Sequence, residues 1–332
     1  MVEIRYLGGD ELAELATPAE YVEAVRHGYR QRGEGAPAHP RTRLETELPT
    51  GMLTGYTAIL PESNAMGGYM YSAGFGSQDA HFVLPLFDAE SGELIALLDG
   101  ASMNPYKTGA AGAVAVDALA RPDARTVGLI GSGTQARGQV LATATVRDLD
   151  RVSVFSPTSA HREEFADELN DMLDASVDAV DSSAGAVRDA DIVITATTAS
   201  EPVFDGEDLA PGTHVTAMGQ YHPRKREIDG TTVARSTYVP DLLARIDRDA
   251  GAYLLARKEG VIEADHAHGE LGDVVAGSVP GRQHGNEITV FDSGGTGIET
   301  VAAAKLLYDR ARDAGLGKTL TLSPASEAFV GR

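Results

Sequence analysis

The sequence predicts an α/β protein: a doubly wound parallel sheet joined to a smaller α+β domain. Three observations carry this. The chain has 332 residues, more than one ordinary core organises. From Thr126 onward, short apolar runs alternate with helix-like stretches, the rhythm of a parallel sheet with right-handed crossovers. The first of those runs, Thr126 to Ile130, enters a glycine-rich turn in which Gly131, Gly133 and Ala136 fall on a G-x-G-x-x-A spacing.

That spacing is the dinucleotide-binding fingerprint of a Rossmann-type fold. Gly131 allows the tight turn, Gly133 lets backbone approach a pyrophosphate, and Ala136 lets the helix pack closely on the strand. Free N–H groups at the helix start attract the anion. The bare spacing is common by chance. The apolar strand before it and the helical stretch Gln135 to Thr145 after it decide for NAD or NADP.

The elements follow in order. Residues 9–16 read as a short helix with Asp10 as N-cap. Thr17 and Glu20 form a capping box with Pro18 at the first helical position. Tyr21, Val22, Val25 and Tyr29 then make an apolar stripe that ends near Gly33. Residues 41–60 and 65–98 read as strands, with a hairpin signal at Asp88 to Gly92. Lys107 to Ala120, rich in Ala and Gly, reads as a close-packed helix. Beyond it, strands are expected at 126–130, 151–155, 177–180, 191–196, 213–218, 236–239 and 288–291, with a helix at 159–173. Gly297 to Ala314 is a last helix able to pack back on the N-terminal part. The expected division is 1–118 with 300–332 as a substrate-binding and dimerisation domain, and 119–299 as the nucleotide-binding domain.

Composition excludes several functions. There is no cysteine, so neither disulfide nor thiolate chemistry is available. No apolar run is long enough to span a bilayer and no signal segment opens the chain, so a cytoplasmic protein without a membrane partner is expected. Forty-nine Asp and Glu against 28 Lys and Arg give a net charge of −21, dispersed over many helices. Such a surface suits high salt, where screening removes self-repulsion. It also argues against nucleic acid, since no basic stripe could neutralise phosphates. Asp265, His266 and His268 are too few and too closely spaced for a metal site, so no metal is expected and a surface loop is the better reading.

Several separated segments together resemble the ornithine cyclodeaminase/mu-crystallin family. They are Leu97 to Gly100, Lys107 to Ala111, Val127 to Ala136, Ala190 to Thr198, Pro211 to Gly219, Glu227, and Phe291 to Gly295, in order between about residues 80 and 310. The resemblance implies a homodimer whose members move a hydride between a nicotinamide and an amino or imino carbon of a small carboxylated substrate. Imine reductases, alanine dehydrogenases and ketimine reductases are among them. It places cofactor contacts at Asp79, Thr134, Gln135, Thr197, Met218, Gly219 and Ser293, and Gly294 at the substrate. Thr197 and Ser293 fall at carboxyl ends of strands, where open α/β sheets bind ligands.

The site also departs from the family. The family's substrate lysine aligns with Tyr69, its carboxylate-gripping arginine with Lys107, and the acid of its cyclodeaminases with Tyr221. The missing acid argues against a cyclodeaminase-like lyase with recycled NAD, and leaves a non-catalytic nucleotide-binding protein as the other alternative. Lys107 can anchor a carboxylate as a point charge. Arg41 and Arg43 face one side of a strand, and one of them matches the family's other substrate arginine. Tyr69, Tyr71 and Tyr221 can orient or protonate the reacting group, a neighbouring cation lowering a phenol's pKa. His81, in the segment Gln78 to His81, and His222 are the rival proton donors.

NAD specificity calls for an acid at the end of the second strand. Arg151 to Phe155 is followed instead by Ser156, Pro157 and Thr158, with His161 and Arg162 nearby. Ser156 and Thr158 can accommodate a 2′-phosphate, which favours NADP over NAD.

Overall fold

The computed structural model describes residues 2–76, 79–323 and 325. Its strands are β1 (Val2–Leu7), β2 (Thr42–Glu47), β3 (Thr50–Leu60), β4 (Ala65–Ala73), β5 (Val83–Phe87), β6 (Leu94–Asp99), β7 (Thr126–Ile130), β8 (Arg151–Phe155), β9 (Ser176–Ala179), β10 (Ile192–Thr195), β11 (His214–Ala217), β12 (Ser236–Pro240), β13 (Ile288–Asp292) and β14 (Lys318–Leu322). They form two sheets. One has the order β14-β1-β6-β5-β4-β3-β2, the other β12-β13-β11-β10-β7-β8-β9.

Every pairing in the second sheet is parallel. Strands β10, β11 and β13 are buried at every position, as expected of strands covered by helices on both faces. The strand order reverses beside β7, between β10 and β8. Loops there part to opposite faces and open a crevice at the carboxyl edge.

The first sheet is mixed, and its β2 to β6 meander buries alternate residues. Tyr56, Ala58, Leu60, Tyr69, Tyr71, Leu84 and Leu86 point into one core. The helices Pro18–Gly33 and Gly297–Asp313 cover that face. The capping box at Thr17 is present as the sequence predicts, Thr17 accepting from the Glu20 amide and Glu20 returning to the Thr17 amide. The β5–β6 hairpin around Asp88 is also present.

Three local expectations change. The first helix is only Gly9–Leu12 and its N-cap is Gly8, so Asp10 sits inside the first turn, where a carboxylate still favours the helix dipole. The helix placed at 159–173 stops at Asn170, and Asn170 turns its side chain back onto the Val177 backbone. Strands β1 and β14 were not foreseen. They pair antiparallel, and β14 is exposed throughout although Leu320 and Leu322 alternate with threonines.

The helix Asn104–Leu119 joins the two sheets. It lies against Thr134–Thr143, the helix that follows the glycine-rich turn. A Cβ on Gly109 would come within 2.1 Å of the Gly138 carbonyl oxygen, so these helices approach backbone to backbone. That contact sets Lys107, on the first turn of one helix, beside the turn that opens the other.

Candidate active site

The glycine-rich turn is built as its spacing requires. Gly131 has φ +122 and donates its N–H to the Phe155 carbonyl at 2.9 Å, locking β7 to the tip of β8. Gly133 caps the helix Thr134–Thr143, which has no acidic side chain in its first turn. Nothing lies within 4 Å of where a Gly133 Cβ would stand, so the helix N-terminus faces open space. Gln135 adds a buried side-chain oxygen without a hydrogen-bond partner. Open room, unopposed N–H groups and a polar rim fit the diphosphate of a dinucleotide.

Two more loops complete this edge, and Glu227 ties them together. Its carboxylate accepts the Thr197 amide at 2.6 Å, the Thr195 hydroxyl at 3.0 Å and the Gly219 amide at 2.6 Å. Burial pushes the Glu227 carboxyl above its usual range, although these donors pull the other way. The loops after β10 and β11 are thereby held at one height. Ala136 is fully buried at the helix–strand contact.

A cleft of about 430 Å³ opens between this edge and the first sheet. Gly133, Thr134, Gln135, Thr197, Met218, Gly219 and Ser293 line one side. Arg41, Tyr56, Tyr71, Phe82, Lys107, Tyr221 and Gly294 line the other. Most residues singled out from the sequence therefore meet around one space.

The two arginines separate. Arg41 enters the cleft, donating to the Tyr71 hydroxyl at 2.6 Å and the Gly294 carbonyl at 2.5 Å. Its guanidinium carbon lies 4.6 Å from the Tyr56 ring centre and 4.2 Å from that of Tyr221. Arg43 instead pairs with Glu45 and lines a larger, more open neighbouring cleft of about 740 Å³ with His222, Arg224 and Lys225. His222 is held below its usual pKa by burial first and then by Arg43, Lys225 and Arg224.

Lys107 has its Nζ 3.3 Å from the Glu299 carboxylate, and both side chains are buried. Glu299 also accepts the Thr296 amide at 2.8 Å, the Thr296 hydroxyl and the Tyr29 hydroxyl at 3.2 Å.

Tyr69, Asp79 and His81 stand elsewhere. Tyr69 does not line the cleft: its hydroxyl donates to the Gly100 carbonyl at 2.6 Å and its ring packs against Phe82. Burial raises the phenols of Tyr69 and Tyr71, and for Tyr71 it outweighs the lowering by Arg41, so the cation does not make either a readier acid. Asp79 is exposed and accepts the Ala80 amide at 2.8 Å. His81 is exposed beside it, while Gln78 lies outside the described residues. His266 and His268 contact the Val233 and Pro280 carbonyls, away from the cleft.

At the tip of β8, the Ser132 hydroxyl donates to the Ser156 hydroxyl at 3.0 Å, and Thr158 caps the next helix. Arg162 folds back from that helix, donating to the Ser156 carbonyl at 3.1 Å and to Asp181 at 2.7 Å.

Tyr56 and Glu299 are lining or supporting residues that the sequence did not single out. Tyr56 pairs with Tyr69 across β3 and β4, so alternation in β3 puts it on the inner face. Thr296 and Glu299 form a capping box at the start of the last helix, and nothing in that local pattern shows the second task of the glutamate.

A dinucleotide edge at a strand-order reversal, facing a cleft with a buried arginine, defines an NAD(P)-dependent oxidoreductase. The comparisons with known proteins narrow this. The chain belongs to the ornithine cyclodeaminase/mu-crystallin family, whose sequence model matches residues 11–315. It is 34% identical over 247 residues to a Δ1-pyrroline-2-carboxylate reductase of Bacillus cereus, covering 74% of this chain and 75% of that protein. Its structure is similar to that of the Thermococcus litoralis Δ1-pyrroline-2-carboxylate reductase in complex with NADH and L-proline. The TM-score is 0.91 and the identity 33%, over 96% of this chain and 100% of the other. An archaeal alanine dehydrogenase dimer with bound NAD gives a TM-score of 0.90 at 29% identity, over 97% and 100% of the two chains.

Proposed function

We propose that this protein is an NADP-preferring imine reductase acting on a small α-imino acid, and that it oxidises the corresponding amino acid in reverse. The observation that carries the reading is Arg41. It is a buried guanidinium that pairs with no carboxylate among the described residues, and it points into the cleft beside Met218 and Gly219. A buried cation without an anion suits a substrate carboxylate, which Arg41 can meet with a charge-assisted hydrogen bond. Its Nε is buried without a partner. When bound, the nicotinamide supplies or accepts the hydride. Thr134, Gln135, Thr197, Met218, Gly219 and Ser293 would hold it against the cleft.

The relatives' names support imine chemistry, and Tyr221 in place of the cyclodeaminase acid supports it against the lyase alternative. Ser156 and Thr158 support the 2′-phosphate of NADP, since the residues that follow β8 carry no carboxylate; Arg162 lies against the Ser156 carbonyl but is paired with Asp181. We assign residues 1–118 and 300–332 to substrate binding and dimerisation, and 119–299 to the nucleotide. For a homodimer, the outer face of the first sheet is suited: Leu44 pairs with Leu53 and Met70 with Val83, and all four are exposed.

The test is reduction of Δ1-pyrroline-2-carboxylate, with NADPH and NADH compared in multimolar salt. Turnover with a lower KM for NADPH is expected. Absence of turnover with this and with other small imino acids would sink the reading.

A further inference from the structure

Two cations face the cleft in different electrostatic states. Arg41 has neutral partners only: a phenol, a carbonyl and two aromatic faces. Lys107 has an anion of its own. Its Nζ lies 3.3 Å from Glu299 and 3.4 Å from the Thr108 hydroxyl, above the rings of Tyr56 and Tyr69 at 5.7 and 5.4 Å. A substrate carboxylate drawn to Lys107 would meet Glu299 as a second anion around one buried cation. At Arg41 it would meet no carboxylate within ion-pairing distance among the described residues, Asp249 acting on the guanidinium only from further off. An ammonium has three N–H donors, two of which are accounted for by Glu299 and Thr108. The third is left over, and Lys107 lines the cleft with its side chain 1% exposed.

We propose that Lys107 is the proton donor of the reduction, with Glu299 as its positioning residue and Arg41 as the carboxylate anchor. This rests on the imine-reductase reading. Addition of hydride from the reduced nicotinamide to the imine carbon moves the C=N π pair onto nitrogen. That nitrogen forms an N–H bond with a proton from Lys107 Nζ, leaving a neutral amine beside Glu299. The sum is imine plus NAD(P)H plus one proton giving amine plus NAD(P)+. Lys107 regains its proton from solvent once the product leaves, and the reverse reaction runs the same transfer backward. A lysine can cycle in this way, whereas the guanidinium that the family carries at this position stays protonated throughout the protein range. Tyr69 and Tyr71 are less suited. The Tyr69 hydroxyl is bound to the Gly100 carbonyl, and the Tyr71 hydroxyl accepts from Arg41.

The proposal is tested on the purified full chain with Lys107→Arg, Lys107→Ala and Arg41→Met. Two measurements are made on each. One is kcat for Δ1-pyrroline-2-carboxylate. The other is the affinity of the protein–NADPH complex for L-proline, a non-reacting pair read by nicotinamide fluorescence. Both Lys107 variants should bind L-proline within about threefold of the parent but lose about 100-fold or more in kcat. Propylammonium should restore part of the kcat of Lys107→Ala. Arg41→Met should lose about tenfold or more in L-proline affinity, as expected for one charge-assisted contact. Lys107→Arg keeps the charge beside Glu299, so it guards against a variant that merely fails to fold. If Lys107→Arg turns over near the parental rate, or if Lys107→Ala loses L-proline while Arg41→Met keeps it, the assignment is overturned. A parent that neither reduces Δ1-pyrroline-2-carboxylate or other small imino acids nor binds L-proline would instead bring down the imine-reductase reading and this assignment with it.

Discussion

Asp241 holds Gly294 in place: its Oδ2 accepts the Gly294 amide at 2.9 Å, together with the Ser293 hydroxyl at 2.8 Å and the Gly295 amide at 3.2 Å. Its other oxygen accepts from Arg245 at 2.7 Å, and both side chains are buried. Because the Gly294 carbonyl accepts from Arg41, the orientation of the anchor depends on a carboxylate that never touches the cleft.

Asp241→Asn should therefore act at a distance. One accepting oxygen becomes an NH2 facing either the turn or Arg245, and stability should fall by about 3 kcal/mol, the cost of breaking a buried charged pair. L-proline affinity should fall with it, while NADPH affinity changes much less. Urea unfolding and two fluorescence titrations check this. An unchanged L-proline affinity would separate Asp241 from the anchor.

Gly133→Val should abolish nucleotide binding and leave the fold intact. The φ of −93 suits valine, and no atom lies within 4 Å of the new Cβ, so the side chain fills only the space meant for the diphosphate. Fluorescence titration with NADPH and NADH, alongside thermal unfolding, reads both halves of the expectation.

Asp292 offers a pH signature. Burial pushes its carboxyl up from 3.8 to about 6, despite Arg245 and the Tyr238 hydroxyl, which donates to it. Between those values the folded state binds more protons than the unfolded one, so this group's contribution to stability falls as pH rises and is at its worst above about 6. Asp292→Asn removes that penalty. Its stability relative to the parent should be greatest near pH 7.5, by at most about 3 kcal/mol, and should shrink as pH falls through 6 toward 4. Taking the difference between the proteins cancels His214, whose burial lowers it to about 3 and acts in the opposite sense. A difference that is flat from pH 4.5 to 7.5 would contradict the account.

Salt should stabilise the protein. With 49 acids against 28 bases, repulsion across the surface is long-ranged at low ionic strength and is screened when the Debye length falls to about 3 Å near 1 M. The thermal midpoint should climb from low to multimolar potassium chloride. A flat midpoint would refute an adaptation of this surface to high salt.

Much of this was legible in the sequence because it depends on short-range pattern. The run Thr126 to Ile130 with Gly131 and Gly133 specifies strand, turn and helix within a dozen residues, and the structure places each there. The same holds for Thr17 with Glu20. What stayed hidden depends on contacts between distant segments. Nothing near Arg41 or Arg43 reveals that one faces Gly294 and the other Glu45: the expected shared strand face does not form, since β2 begins at Thr42, and the direction of Arg41 is set by a loop 253 residues away. Tyr69 reads as a polar group at a site, yet its hydroxyl is bound to a backbone carbonyl that only the folded sheet brings near. The Arg162 contact with the β8 tip was likewise invisible, because it comes from a helix turning back on the strand before it.

The distance along the chain between Lys107 and Glu299, 192 residues, has a consequence for biosynthesis. A ribosome releases β1 to β6 of the first sheet, the lysine helix and the whole nucleotide-binding sheet before the glutamate emerges. Until then Lys107 is a cation whose burial has no counter-charge, a state disfavoured by several kcal/mol. The core beneath β3 and β4 must also wait for Gly297–Asp313 to cover it. Released chains truncated before residue 297 should thus keep this half open to proteases while the parallel sheet is already closed, so the pocket matures last although its first residues are made early.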